Sequence, residues 1–249
     1  MYSRASNLKR MQRKIRVGEI LSEAFAIYRG QAGVLLPVAF WLFLGVAVLE
    51  ALLEDSIALL LVALLTLVVT FLYQGMVVGL VRDVQDGRRD ASVRELMSSV
   101  VPVLMPLIGA GLLTAIGIVF GFVLLIAPGL YLLTIWAVTA PVVVIERRGV
   151  FDALGRSRQL VRGNGWPVLG AFLVAIAIGL AVSLGLAAVA ESLAEGEILE
   201  IVFYALASTV TAPIEALVAS VLYFRLLEIN DEPLAVEGSV PQEPGDSLG

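Results

Sequence analysis

The sequence predicts an all-α polytopic membrane protein. It has six transmembrane helices in three hairpin repeats, each hairpin preceded by an interfacial amphipathic helix. Three observations predict this. The 249-residue chain is 59% hydrophobic and only 16% charged, with mean hydropathy +0.94, against roughly 45–50% and 25% in ordinary soluble domains. The excess is gathered into charge-poor runs of roughly 17–28 residues, long enough to cross a hydrocarbon core about 30 Å thick. All 17 Lys and Arg lie on one side of these runs.

The first element is a basic N-terminal arm, residues 1–14 (MYSRASNLKRMQRK). No short apolar core with a cleavage site follows it at once, so it does not read as a cleavable signal peptide. Residues 15–228 form the membrane domain, with repeats at 15–82, 90–148 and 149–228. Spans are placed at about 31–53, 56–81, 101–125, 129–146, 165–190 and 198–226. The runs are continuous rather than alternating, unlike the strands of a membrane β-barrel. A tight turn is expected at Ala127-Pro128-Gly129, because Pro and Gly together are strong punctuation. Residues 229–249 read as a disordered acidic tail, rich in Pro, Gly and Glu.

The basic side carries the N-terminus through Arg29, then Arg82, Arg88, Arg89 and Arg94, then Arg147 to Arg162, then Arg225. The opposite connections hold only acids: Glu50, Glu54 and Asp55, then Glu191, Glu195, Glu197 and Glu200. Basic connections stay cytoplasmic. The expectation is a multi-pass protein of the cell membrane with both termini in the cytoplasm.

The repeat unit is marked by Val17-Gly-Glu-Ile-Leu, Val93-Arg-Glu-Leu-Met and Val150-Phe-Asp-Ala-Leu. In the first segment Val17, Ile20, Leu21, Ala24, Phe25 and Tyr28 trace one helical face, and in the second Val93, Leu96, Met97, Val100, Val101 and Leu104 do the same. Ser92 with Glu95 forms a capping-box pattern. In the third, Val150, Leu154 and Val161 hold the face, Arg156, Gln159 and Arg162 lie off it, and Asp152 and Arg156 are spaced as a helix pair. Arg156, Arg158 and Arg162, echoed by Arg16 and Arg29, are candidates to bind anionic lipid headgroups from helices lying in the interface. Arg158 sits close to the apolar face, where it can snorkel or pair with Glu146. The competing reading makes these arginines topology signals only.

Small residues recur every fourth position in the fifth span (Ala171, Ala175, Gly179, Ser183, Ala187) and the sixth (Ser208, Ala212, Ala216, Ser220). Gly75-x-x-x-Gly79 and Gly117-x-x-x-Gly121 repeat the theme, and such stripes let helices approach closely in lipid. Glu215 is the one ionisable side chain deep in a span, with Ser208 and Thr211 on its face and Pro213 beside it. A charge there must face protein or water. It is either a proton or substrate site in a cavity, or a protonated group hydrogen-bonded between helices. Tyr73, Gln74, Thr114, Thr134 and Thr139 are the other polar residues available to line a narrow cavity.

There is no Cys and no His. That removes disulfides, the usual zinc and copper ligands, and the usual nucleophile–base pairs. No catalytic residue, metal, cofactor or nucleic-acid partner is expected.

Three stretches, GEILSEAFAIYR, APVVVIERRGVFDALGRSRQLVRGN and TAPIEALVASVLYFRL, resemble the prokaryotic six-span proteins named for the glycerophosphoryl diester phosphodiesterase membrane domain. The resemblance covers most of residues 15–228. It implies a fold and a membrane setting. In some relatives this domain precedes a cytoplasmic phosphodiesterase domain. The catalytic histidines of that enzyme cannot exist in a chain without His.

The function expected is therefore non-enzymatic: an accessory or lipid-organising membrane protein, with anionic lipid, a protein partner or a second copy as partners. The alternative is a small transporter or channel with Glu215 in its pathway.

Overall fold

A computed structural model describes residues 15–53, 56–87, 92–193 and 196–230. The basic arm, the expected acidic tail from residue 231 on, and Glu54, Asp55, Arg88, Arg89 and Glu195 lie outside the described residues, while Ile229 still belongs to the last helix. The described chain is helical: α1 (Val17–Leu52), α2 (Ser56–Gln85), α3 (Val93–Val100), α4 (Leu104–Leu124), α5 (Ile126–Ile135), α6 (Thr139–Glu146), α7 (Val150–Val161), α8 (Gly165–Leu193) and α9 (Glu197–Ile229). Among the described residues six segments are long and apolar enough to cross a membrane: those of α1, α2, α3 with α4, α5 with α6, α8, and α9. The fold class is the one the charge-poor runs predict.

The three amphipathic segments fold differently from one another. Only the second and third are separate helices. The first continues into the span without a break, as α1, because nothing between Val17 and Gly33 stops it; Pro37 sits further on, within the helix. In the second, the Ser92 hydroxyl accepts from the Glu95 N–H at 3.3 Å and the Glu95 carboxylate accepts from the Ser92 N–H at 3.1 Å, the expected capping box. Pro102 then enters a short 3-10 turn, Val101–Val103. In the third, Gly163 takes φ +88°, and the chain turns before α8.

The turn between α4 and α5 falls at Leu125, not at Ala127-Pro128-Gly129. Leu125 alone is extended, and Pro128 sits inside the first turn of α5, where its missing N–H has no helical partner to lose. Gly129 serves closeness instead. A Cβ on Gly121 would stand 2.9 Å from the Gly129 Cα, so the two helices meet backbone to backbone.

The spans enclose a centre rather than closing on one. α2 packs on α4, α4 on α5, α5 on α8, α8 on α9, and α9 back on α2, while α6 packs on α2, α4 and α9. α1 lies outside this ring against α9, α2 and α8. The small-residue stripe of α8 splits accordingly. Ala171 is fully buried in packing, whereas Ala175, Gly179 and Ser183 border the space inside the ring.

Candidate functional site: two polar clusters, a groove and a cavity

The fourth span is interrupted at Trp136–Val138, between α5 and α6. An interrupted helix leaves backbone groups without partners, and α7 supplies one. The buried Ser157 hydroxyl donates to the Ile135 carbonyl at 2.9 Å and accepts from the Val138 N–H at 3.3 Å. This places α7 against protein. Its buried face, Ala153, Leu154, Ser157, Leu160 and Val161, meets α4, α5, α6 and α9 instead of lipid.

Glu146 ends α6, and Arg147 reverses the chain in a left-handed conformation (φ 52°, ψ 38°). The Glu146 side chain, 3% exposed, accepts from Arg148 Nε at 2.6 Å, Arg156 Nε at 3.1 Å and the Tyr223 hydroxyl at 3.0 Å. The arginine of α7 that reaches Glu146 is thus Arg156, not Arg158. Ser157 faces the interrupted span, its neighbour Arg156 therefore reaches α6, and Arg158 is carried to the other side. A second cluster joins α1, α2 and α9. Glu23 accepts from Arg225 at 2.7 and 3.1 Å and from the Gln85 amide at 2.8 Å, and Arg225 also donates to Glu228. Glu23, Glu146, Arg156, Tyr223 and Arg225 come from the three quoted stretches, so those stretches meet as cross-links between helices.

Of the arginines singled out for lipid, Arg156 belongs to the first cluster and is 15% exposed. Arg16 pairs with Glu19 at 3.5 Å, and Arg29 stands over the Phe25 ring at 4.9 Å. Arg158 and Arg162 differ. Both are exposed, and neither guanidinium has a partner among the described residues. They overhang a groove of about 1010 Å³ between α5, α7 and α8, floored by Leu130, Ile135 and Leu169 and flanked by Tyr131 and by Trp166, which is 85% exposed.

Inside the ring lies a cavity of about 650 Å³. Glu215 and Thr211 border it, with Tyr73, Gln74, Thr114 and Thr139. Ser208 lies in an adjoining cavity of about 540 Å³ between α8 and α9, reaching Glu191. Thr134 is elsewhere, bordering the groove, with its hydroxyl on the Leu130 carbonyl. Among the described residues Glu215 has no hydrogen bond and no ion pair. The interhelical hydrogen bond expected of a structural glutamic acid is not there.

The family model of a domain of unknown function, DUF7847, matches residues 91–227. The chain belongs to this family. The DUF7847 match spans α3 to α9 and includes Glu146, Arg158, Arg162 and Glu215. A UPF0259 membrane protein of Pectobacterium carotovorum subsp. carotovorum (strain PC1) is 35% identical over 98 residues. That stretch covers 39% of this chain and 39% of the relative, so the chain spans about two fifths of the curated protein it matches. No solved structure matches. This is a multi-pass membrane protein of a family without an assigned activity.

Proposed function

We propose that this DUF7847 protein is a non-enzymatic, lipid-organising protein of the cell membrane that holds an anionic phospholipid in the groove under Arg158 and Arg162. The observation that carries the reading is the pairing, in one groove, of two unpartnered guanidiniums with an apolar floor. Guanidiniums match phosphate geometry with two parallel hydrogen bonds. Trp166 beside them suits the headgroup level, where amphipathic rings collect. The charge split supports an orientation with both termini and this groove cytoplasmic.

Native mass spectrometry of the protein released from mixed phosphatidylglycerol and phosphatidylcholine nanodiscs tests the binding. Each cation near an anionic surface contributes about 1 kcal/mol, so two give a preference of about thirtyfold. The double variant Arg158→Gln/Arg162→Gln is expected to lose that preference, and added salt to weaken it in the wild type. Equal retention of phosphatidylglycerol by both proteins would reject the groove. The orientation is tested separately. The chain has no Cys, so a single cysteine at Glu54 or Glu195 is expected to react with an impermeant reagent outside intact cells, and one at Arg88 or Arg158 is not. The reverse pattern would invert the topology. The alternative reading, a small transporter or channel, draws on a different observation: Glu215 borders a cavity.

A further inference from the structure

The cavity inside the ring carries a set of groups that the bundle itself leaves unused. Glu215 is exposed to it without a hydrogen bond or ion pair among the described residues. The Thr114 hydroxyl, from α4, is buried with no hydrogen-bond partner. The Gln74 amide, from α2, has none among the described residues either. Buried polar groups are normally satisfied, and each exception needs a physical account. Of the three only the Thr114 hydroxyl is buried; Glu215 is exposed to the space and Gln74 half-buried, and the carboxyl, the group among them that can carry charge, sets what the space admits.

The chemistry of the lining says which ligand. Among the described residues no Lys or Arg borders the cavity, and Glu215 is the carboxyl group that does. A carboxylate this deep in a span costs several kcal/mol unless a positive charge or a proton meets it. Of the other polar groups in the wall, the Thr70, Tyr73, Thr139 and Thr211 hydroxyls already donate to backbone carbonyls, and Phe71, Trp136 and Phe172 contribute aromatic surface from three elements. A carboxylate and aromatic side chains bordering one space make an environment in which an organic cation is met by charge and by ring contact. At about 650 Å³ the space is within the range of small-molecule sites. The adjoining cavity between α8 and α9 shares Ser183 and Thr211 with it and ends at Glu191, a second acid at its mouth.

We propose that this cavity is a binding site for an apolar organic cation, an ammonium or phosphonium of small-molecule size. Its charge lies against Glu215, its body rests on Phe71, Trp136 and Phe172, and it enters between α8 and α9 past Glu191. The site is independent of the lipid groove, which is lined by α5, α7 and α8 and shares no residue with it.

The test uses the full chain in nanodiscs of phosphatidylcholine, with free tetraphenylphosphonium followed by an ion-selective electrode. The wild type is expected to take up the cation saturably above empty nanodiscs. Glu215→Gln is expected to weaken uptake at least tenfold. A second variant leaves the carboxyl in place. Gly179 borders the cavity and a Cβ there meets nothing within 4 Å, so Gly179→Leu is expected to fill the space and block uptake with the fold intact. Neutral triphenylphosphine oxide is expected to bind at least tenfold more weakly than the cation. Uptake no greater than that of empty nanodiscs overturns the proposal. So does uptake unchanged in both Glu215→Gln and Gly179→Leu, or equal binding of the neutral compound.

Discussion

Glu146 and Glu215 are two carboxyl groups in one bundle with opposite surroundings. Glu146 is almost completely enclosed and accepts from two arginines and a tyrosine, on α7, on α9 and in the turn after α6. Glu215 borders open space, with no partner among the described residues. The first has every attribute of a cross-link, because its partners on α7, on α9 and in the turn after α6 tie separate elements to α6 and satisfy it. The second has the attributes of a site, because its neighbours leave it unsatisfied. The arginines divide the same way. Arg156 is consumed by Glu146, whereas Arg158, two residues on, is left to the groove. Polar residues in a membrane bundle thus sort by how far the protein itself satisfies them, not by depth or charge alone.

The largest effect that tests this comparison is at Glu146. Breaking a buried ion pair by removing one partner costs about 3–5 kcal/mol, because the other charge stays behind uncompensated. Glu146→Gln leaves Arg156, the less exposed of the two arginines, in that position. Thermal unfolding in detergent, followed by circular dichroism, is expected to show a loss of this size. A variant as stable as the wild type would mean the cluster is ornamental. Ser157→Ala comes next. It strands the Ile135 carbonyl and the Val138 N–H at the interruption of the fourth span, at about 1–3 kcal/mol. Its signature is specific: hydrogen exchange is expected to rise at Trp136–Val138 before it rises elsewhere.

The spans were readable in the sequence because length and absence of charge suffice to mark them. The capping box at Ser92 was readable because both partners are local. What the sequence left open was whatever depends on a distant partner. The spacing of α7 predicts a lipid-facing apolar face, but periodicity reports that a face is apolar and not what covers it; here protein does. Gln74 and Thr114 were visible as candidate lining, yet only the ring of helices brings them beside Glu215. The partnership of Tyr223 with Glu146, 77 positions apart, has no local signal at all.

The arginine pair supplies a smaller effect of the opposite kind. Arg158 and Arg162 are exposed and unpartnered among the described residues, so Arg158→Gln/Arg162→Gln is expected to change stability by no more than about 0.5 kcal/mol in neutral detergent. Arg156→Gln, which opens the Glu146 cluster, is expected to cost about 1–3 kcal/mol, moderated by Arg148 and Tyr223 remaining on the carboxylate. Equal losses in the two variants would erase the distinction between cross-link and groove.

The smallest expected effect is the sharpest. From the sequence, a structural reading of Glu215 makes Glu215→Gln tolerable and Glu215→Leu damaging, because leucine would strand a hydrogen-bond partner at about 1–3 kcal/mol. The cavity removes the premise, since no partner of Glu215 exists among the described residues to be stranded. Leucine is a good helix former, the space beside position 215 is open, and removing a carboxyl from a span removes a polar group that lipid and apolar walls disfavour. Glu215→Leu is therefore expected to unfold within about 0.5 kcal/mol of the wild type, or to be more stable, while losing cation uptake. A loss above about 1 kcal/mol in the leucine variant, with Glu215→Gln unaffected, would put a hydrogen-bond partner back beside Glu215 and return it to the company of Glu146.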